Sequence, residues 1–267
     1  MGPCRGPDPG SNPGVGAFIF LPKKGATLNA DSTALKAAQG LFSRIDTLSF
    51  IKCIHYPVTM VFIVLEGAPC AGKTTLRKRL EKLKLSDRLF FLPTDKQVGE
   101  YVKEMPGYPR TYDQAKANEK WFLDQEVKKF TLVHKLAKAG HHIISERDYV
   151  SCLAFSNAYS KYSGINILDY TLSLYKQYLE NGSLFRPDIR LILDVAPASM
   201  LIRNAQRKKK LSDFWLDNGF PSYLTDYFRY FAQNCENETS VLIRTEDNKE
   251  EEMLHTGEEI ILKRLNV

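Results

Sequence analysis

Residues Gly67-Ala68-Pro69-Cys70-Ala71-Gly72-Lys73-Thr74 follow directly on an apolar run, Val61-Phe62-Ile63-Val64-Leu65, and on Glu66. The stretch satisfies G-x-x-x-x-G-K-[ST] in the setting that the pattern requires, with a strand entering the loop and a helix leaving it. Gly67 and Gly72 permit a turn in which consecutive N–H groups surround an anion, and the helix that follows points its positive end at the same place. Lys73 is expected to reach the β- and γ-phosphates of a nucleotide, the Thr74 hydroxyl to face Mg²⁺, and Thr75 to lie by the α-phosphate. Gly67, Ala68, Pro69, Cys70, Ala71, Gly72, Lys73, Thr74 and Thr75 are therefore expected to line a site for ATP with Mg²⁺. Cys70 reads first as a small space-filling residue, although oxidation or alkylation there would block nucleotide entry.

From Met60 onward, strand-like apolar runs alternate with helical patterns, the signature of a parallel sheet wrapped by helices. The expected strands are Val61–Leu65, Leu89–Leu92, His141–Ile144, Ile189–Val195 and Val241–Ile243, with helices starting near Gly72, Lys96, Asp113, Tyr149, Asp169, Pro197, Pro221 and Asn248. The helix from Asp113 to Ala139 carries Trp121, Phe122, Val127, Phe130, Val133 and Leu136 toward one side, and Gly140 is placed to stop it. The prediction is an α/β, three-layer P-loop NTPase fold, a five-stranded parallel sheet flanked by helices, spanning residues 60–267. The apolar face of the Asp113 helix would serve a homodimer as easily as the core.

The first 25 or so residues are dense in Pro and Gly and show no hydrophobic periodicity, so they are expected to be disordered. Residues 26–59 hold no motif that carries chemistry. Met60 stands where the recognisable domain begins, and Gly10-Ser11-Asn12-Pro13 is what the T-arm consensus of a tRNA gene gives when read in frame. Two readings of residues 1–59 follow: a genuine flexible extension, or a start assigned upstream of the true one. The formal charge of +6 suits phosphate ligands, and the scattering of the basic residues, apart from Lys208–Lys210, does not point to nucleic acid. Five widely spaced cysteines without a Cys-x-x-Cys pair fit a reducing, cytoplasmic compartment. The longest apolar run, Val58–Leu65, falls far short of the roughly 20 residues that span a bilayer, so no membrane association is expected.

No Asn/Thr-Lys-x-Asp base-reading motif of a GTPase is present, Thr94-Asp95-Lys96-Gln97 having the wrong order. Four further segments lie in register with a different group. Pro93, Gly99, Glu100 and Lys103 follow the second strand. Glu146-Arg147-Asp148-Tyr149-Val150-Ser151 ends the third. Leu193-Asp194-Val195-Ala196-Pro197 ends the fourth, and Arg203 and Arg207 stand four apart beyond it. With Glu66, Gly67, Gly72, Lys73, Thr74 and Thr75 of the loop, these segments resemble the thymidylate kinase family of nucleotide and deoxynucleoside kinases. The resemblance implies catalytic roles for Lys73, Glu146, Arg147 and Arg207. It implies Thr74 and Glu146 at Mg²⁺, and Arg203 against the adenine. Lys103, Gln125, Arg147 and Ser151 would contact the acceptor. Arg203, Arg207, Lys208–Lys210, Asp213 and Phe214 would form a small basic lid over ATP. Arg147 has the planar fork that suits an acceptor phosphate, and Glu146 could hold Mg²⁺ through water or take the proton of an acceptor hydroxyl. For Glu146 and Arg147 an ordinary strand-end ion pair is the plainer alternative, and for Asp194 strand-end structure is favoured over catalysis.

The departures fall on the acceptor side: Pro69 and Cys70 replace an Asp-Gly, Leu92 a Glu, Asp148 a Tyr and Ser156 a Gln. Three functions remain open at this point. The first is a nucleoside monophosphate kinase of the thymidylate kinase type. The second is a kinase of an unphosphorylated deoxynucleoside or other small metabolite. The third is a nucleotide-binding regulator without catalysis.

Overall fold

The computed structural model describes residues 60–92, 106–208, 211, 217, 219–235, 239–245 and 250–266. The expected helix near Lys96 lies outside these residues, as do residues 1–59, Pro93, Gly99, Glu100, Lys103, Lys209, Lys210, Asp213 and Phe214. The described strands are β1 (Phe62–Gly67), β2 (Leu89–Leu92), β3 (His142–Glu146), β4 (Ile189–Val195) and β5 (Ser240–Thr245). The helices are α1 (Lys73–Lys82), α2 (Tyr112–Lys138), α3 (Tyr149–Ser163), α4 (Leu168–Glu180), α5 (Pro197–Ala205), α6 (Phe220–Asn234) and α7 (Glu250–Leu265).

All five strands are parallel, in the order β2-β3-β1-β4-β5. The central β1 is buried along its whole length, as a parallel strand covered on both faces must be, and this is why it reads as an unbroken apolar run rather than an alternation. Helices α1 and α7 pack on each other and on the sheet, and α2, α3 and α6 form the other layer, with α4 against α2 and α3. The chain leaves β1 for β2 and β3 on one side and then crosses to β4 on the other. The carboxyl ends of β1 and β3 therefore border the switch point, where open α/β sheets bind ligands.

Two strands extend further toward that rim than apolar content predicts. Val61–Leu65 becomes Phe62–Gly67, and His141–Ile144 becomes His142–Glu146. The added residues Glu66, Ser145 and Glu146 are polar yet buried, and continue the ladder through Leu65 opposite Glu146. His141 drops out because its N–H donates to the Leu136 carbonyl at the end of α2. β5 gains Ser240, Arg244 and Thr245, and α4, α6 and α7 start within two residues of expectation. In α2, Thr111 caps the first turn by accepting from the Gln114 N–H at 3.3 Å, and Gly140, at φ +80°, stops the helix. The face of α2 against the sheet is narrower than expected. Phe130 and Val133 are buried with Leu123 and Ala137, whereas Trp121, Phe122, Val127 and Leu136 are only half-buried. Phe130 meets Phe62 edge-on at 5.8 Å and Phe185 at 4.7 Å, which fixes α2 over the centre of the sheet.

Candidate active site

The loop between β1 and α1 owes its shape to Gly67. Its φ is +130°, and a Cβ there would lie 2.3 Å from the Leu193 carbonyl oxygen on β4, so no side chain can be accommodated. Gly72, at φ +99°, makes the turn into α1. Cys70 is left-handed as well, at φ +63°, a conformation costing a non-glycine residue about 1–2 kcal/mol and one that commonly marks functional loops. The Lys73 ammonium is buried and donates to the Gly67 and Ala68 carbonyls, each at 2.8 Å. Burial first, and then the nearby Arg147 cation, lower its pKa to about 7, while Glu66 and Glu146 oppose the shift.

Thr74, exposed at the start of α1, donates to Glu146 Oε2 at 2.9 Å, and Arg77 Nε donates to Glu146 Oε1 at 2.5 Å. Glu146 is thus salt-bridged to Arg77, one helical turn beyond the loop, and holds the Thr74 hydroxyl at the rim. These two oxygens are hard ligands of the kind Mg²⁺ takes from a protein when phosphates and water complete its octahedron. Among the described residues no three His, Cys, Asp or Glu side chains cluster as a metal site.

Arg147 follows at the end of β3, with its N–H donating to Leu65 on β1 at 2.9 Å and its φ at +63°. Its guanidinium donates to Ser151 Oγ at 2.9 Å and lies 5.6 Å from the Phe155 ring centre. The Ser151 hydroxyl in turn donates to Glu66 Oε2 at 2.7 Å. The buried Glu66 carboxylate also accepts from the Asp148 N–H at 2.7 Å and from the Gly67 N–H at 3.2 Å. One carboxylate therefore ties the first loop residue, the start of α3 and, through Ser151, the Arg147 side chain together. Asp148, which departs from the resemblance, is occupied structurally. It caps α3 by accepting from Val150 N–H at 2.8 Å, and its Oδ2 accepts from Arg190 Nε at 3.0 Å and Nη2 at 2.6 Å in a fully buried ion pair.

The remaining predicted residues divide. Arg203, at the end of α5, donates to the Cys70 carbonyl at 3.3 Å, and Arg207 lies with its Nη1 3.4 Å from Cys70 Sγ, so both arginines reach the phosphate loop. Gln125 is engaged along its own helix, donating to the Trp121 carbonyl at 3.4 Å and accepting from Lys128 at 3.2 Å. Asp194 accepts from Arg229 at 2.8 Å, in keeping with a strand-end structural role. Lys103 lies outside the described residues. Arg77, Lys129 and Arg190 were not singled out from sequence. Arg190 alone left a signal there, as a lone cation inside an apolar strand.

No protein-family model and no curated protein sequence matches this chain. Solved structures do. A thymidylate kinase from Candida albicans superposes with a TM-score of 0.59 at 18% identity, over 78% of this chain and 93% of that one. A thymidylate kinase from Ehrlichia chaffeensis superposes with a TM-score of 0.51 at 19% identity, over 76% of this chain and 98% of that one. The chain has the fold of the thymidylate kinases.

Proposed function

We propose that this chain transfers the γ-phosphoryl group of ATP, bound with Mg²⁺, to a nucleoside monophosphate. The observation that carries the reading is the convergence of two cations on one rim. Lys73 stands at the donor loop, and Arg147 stands on the adjacent strand end, close enough to depress the Lys73 pKa. The Glu66 and Glu146 carboxylates offset part of the repulsion between the two cations, and a donor and an acceptor phosphate would supply the further anions that two cations on adjacent strand ends are suited to hold.

In this reading the N–H groups of residues 70–75 face the ATP phosphates, Pro69 having none and Gly67 giving its own to Glu66, and Lys73 leaves the Gly67 and Ala68 carbonyls to follow the γ-phosphoryl charge. Thr74 and Glu146 would hold the Mg²⁺, which when bound would supply positive charge against that developing on the phosphates. Arg147 grips the acceptor phosphate and, with Lys103, Gln125 and Ser151, orients the acceptor for in-line attack. Ser151 does so indirectly, through the hydrogen bond it makes to Arg147. Arg203 and Arg207 close over ATP, the former toward the adenine and the latter toward the phosphates. The salt bridge of Glu146 to Arg77 and its contact with Thr74 favour metal positioning over proton abstraction, and this sets the monophosphate reading above that of an unphosphorylated acceptor.

ADP release from ATP, measured against a panel of nucleosides and nucleoside monophosphates, tests the proposal. Turnover with monophosphates is expected. Turnover with unphosphorylated acceptors alone would replace the reading with a nucleoside or metabolite kinase, and turnover with no acceptor would leave a nucleotide-binding regulator.

A further inference from the structure

We infer that Lys129 is a positioning residue for Arg147. It lies on α2 and was assigned no part in the site by the sequence; the inference rests on the reading of Arg147 as the acceptor-phosphate group. The Lys129 ammonium is buried and donates to the Arg147 carbonyl oxygen at 2.7 Å, while Glu126, one helical turn earlier, pairs with it at 2.5 Å. The carbonyl it grips belongs to a residue in the left-handed region, at φ +63°, where an arginine does not rest without help. That conformation turns the strand sharply into α3 and brings the Arg147 side chain alongside Ser151, one turn into the helix. The residue is therefore held at both ends, its carbonyl by a charge-assisted bond from α2 and its guanidinium by Ser151, itself fastened to Glu66 at the phosphate loop.

A lysine buried beside a carboxylate is an unusual choice for holding two helices together, since an apolar pair would do so at no desolvation cost. What the ammonium supplies that an apolar residue could not is a short, charge-assisted hydrogen bond to a carbonyl that the strand ladder has stopped using and that the Ser145 hydroxyl reaches only at 3.5 Å. The effect should fall first on the acceptor side, because Lys129 contacts Arg147 and Glu126, whereas the loop takes its shape from Gly67 and Gly72 and is linked to Arg147 only at one remove, through Glu66 and Ser151.

The test uses the full-length protein with Lys129→Met, Arg147→Ala and the double variant, each assayed with ATP and the acceptor that wild type prefers. Lys129→Met is expected to raise the acceptor KM by about tenfold and to leave the ATP KM within about twofold. Added to Arg147→Ala, it should cost less than about twofold more, because the two changes remove one device. Equal rises in both KM values, or effects that multiply, would overturn the assignment. Should Lys129→Met fold poorly for want of a partner to Glu126, Glu126→Gln/Lys129→Met removes both charges and is judged by the same criteria.

A crystal structure of either Lys129 variant gives a readout that needs no turnover. Residue 147 is expected to leave the left-handed region, and its guanidinium to part from Ser151. An Arg147 unmoved in both respects would refute the inference whatever the kinetics. If wild type turns over no acceptor, the proposed function falls, and the crystal structure still decides the role of Lys129.

Discussion

Lys73 provides the sharpest test of how the loop waits for its ligand. In the ligand-free protein its ammonium is buried and its pKa lowered from 10.5 to about 7. At about 1.36 kcal/mol per unit, keeping it charged costs roughly 5 kcal/mol. The sign follows from the direction of the shift. The folded loop holds this proton less tightly than the unfolded chain, so charging Lys73 works against the fold below pH 7, and the penalty fades as pH rises from 7 toward 10.5. A phosphate beside the ammonium reverses the shift, so nucleotide binding should draw a proton from solution. At pH 7.5 about a quarter of the empty protein carries that proton, and binding should take up about three-quarters of a proton per nucleotide. Isothermal titration with MgATP in buffers of different ionisation enthalpy measures this directly. The observed enthalpy should rise with buffer enthalpy with a slope of about 0.7, and affinity should weaken by up to about tenfold per pH unit above 7.5. Lys73→Met should bind weakly with a slope near zero. A wild-type slope below about 0.2 at pH 7.5, with affinity flat up to pH 9, would refute the picture of an ammonium discharged by burial.

The other predictions concern the framework. Gly67→Ala, with its Cβ forced 2.3 Å from the Leu193 oxygen, should lose roughly 3 kcal/mol or more in urea unfolding and lose nucleotide binding; a loss under about 1 kcal/mol would mean that β4 gives way. Arg190→Met strands the buried Asp148 carboxylate and should cost about 3–5 kcal/mol, whereas Asp148→Asn/Arg190→Met should cost less than half of that; equal losses would show that the charge pairing is not what matters. Burial raises the Glu119 carboxyl to about 8, with a hydrogen bond from Ser156 opposing, so the stability it gives when protonated is complete below its unfolded value of 4.5 and is lost as pH rises through 8. Glu119→Gln should therefore be more stable than wild type at pH 9 by on the order of 5 kcal/mol and indistinguishable near pH 4, as read from thermal melts; a difference independent of pH would rule this out.

The sheet and the donor loop could be read in advance because each rests on local pattern: unbroken apolar runs for buried parallel strands, and two glycines at fixed spacing for a turn that only glycine can make. The acceptor side could be read less fully. The resemblance implies acceptor contact for Ser151, but its hydroxyl is taken up by Glu66, a partner 85 residues away in sequence. Asp148 stood out as a departure from the resemblance, and its reason was a fully buried arginine on a strand two positions across the sheet. Lys129 gave no sign at all, since on a helix rich in lysine one cation looks like the next until folding buries it. Long-range polar pairing has no period, so a single sequence shows at most one half of it, as the lone Arg190 within an apolar strand does, and not the partner.

The pairing of Leu65 with Glu146 sets how this chain can change over time. The Gly67–Thr74 loop and Arg147 hang from adjacent strands whose ladder admits only whole-residue steps of about 3.3 Å, each of which also turns a side chain to the opposite face. Insertions or deletions within either strand would throw the two halves of the site out of step, so β1 and β3 must be inherited at fixed length. Point substitutions on α2 and α3 meet no such barrier. Lineages of this fold should therefore diverge around this rim by exchanging helix residues one at a time, while the spacing between the two strand ends stays constant.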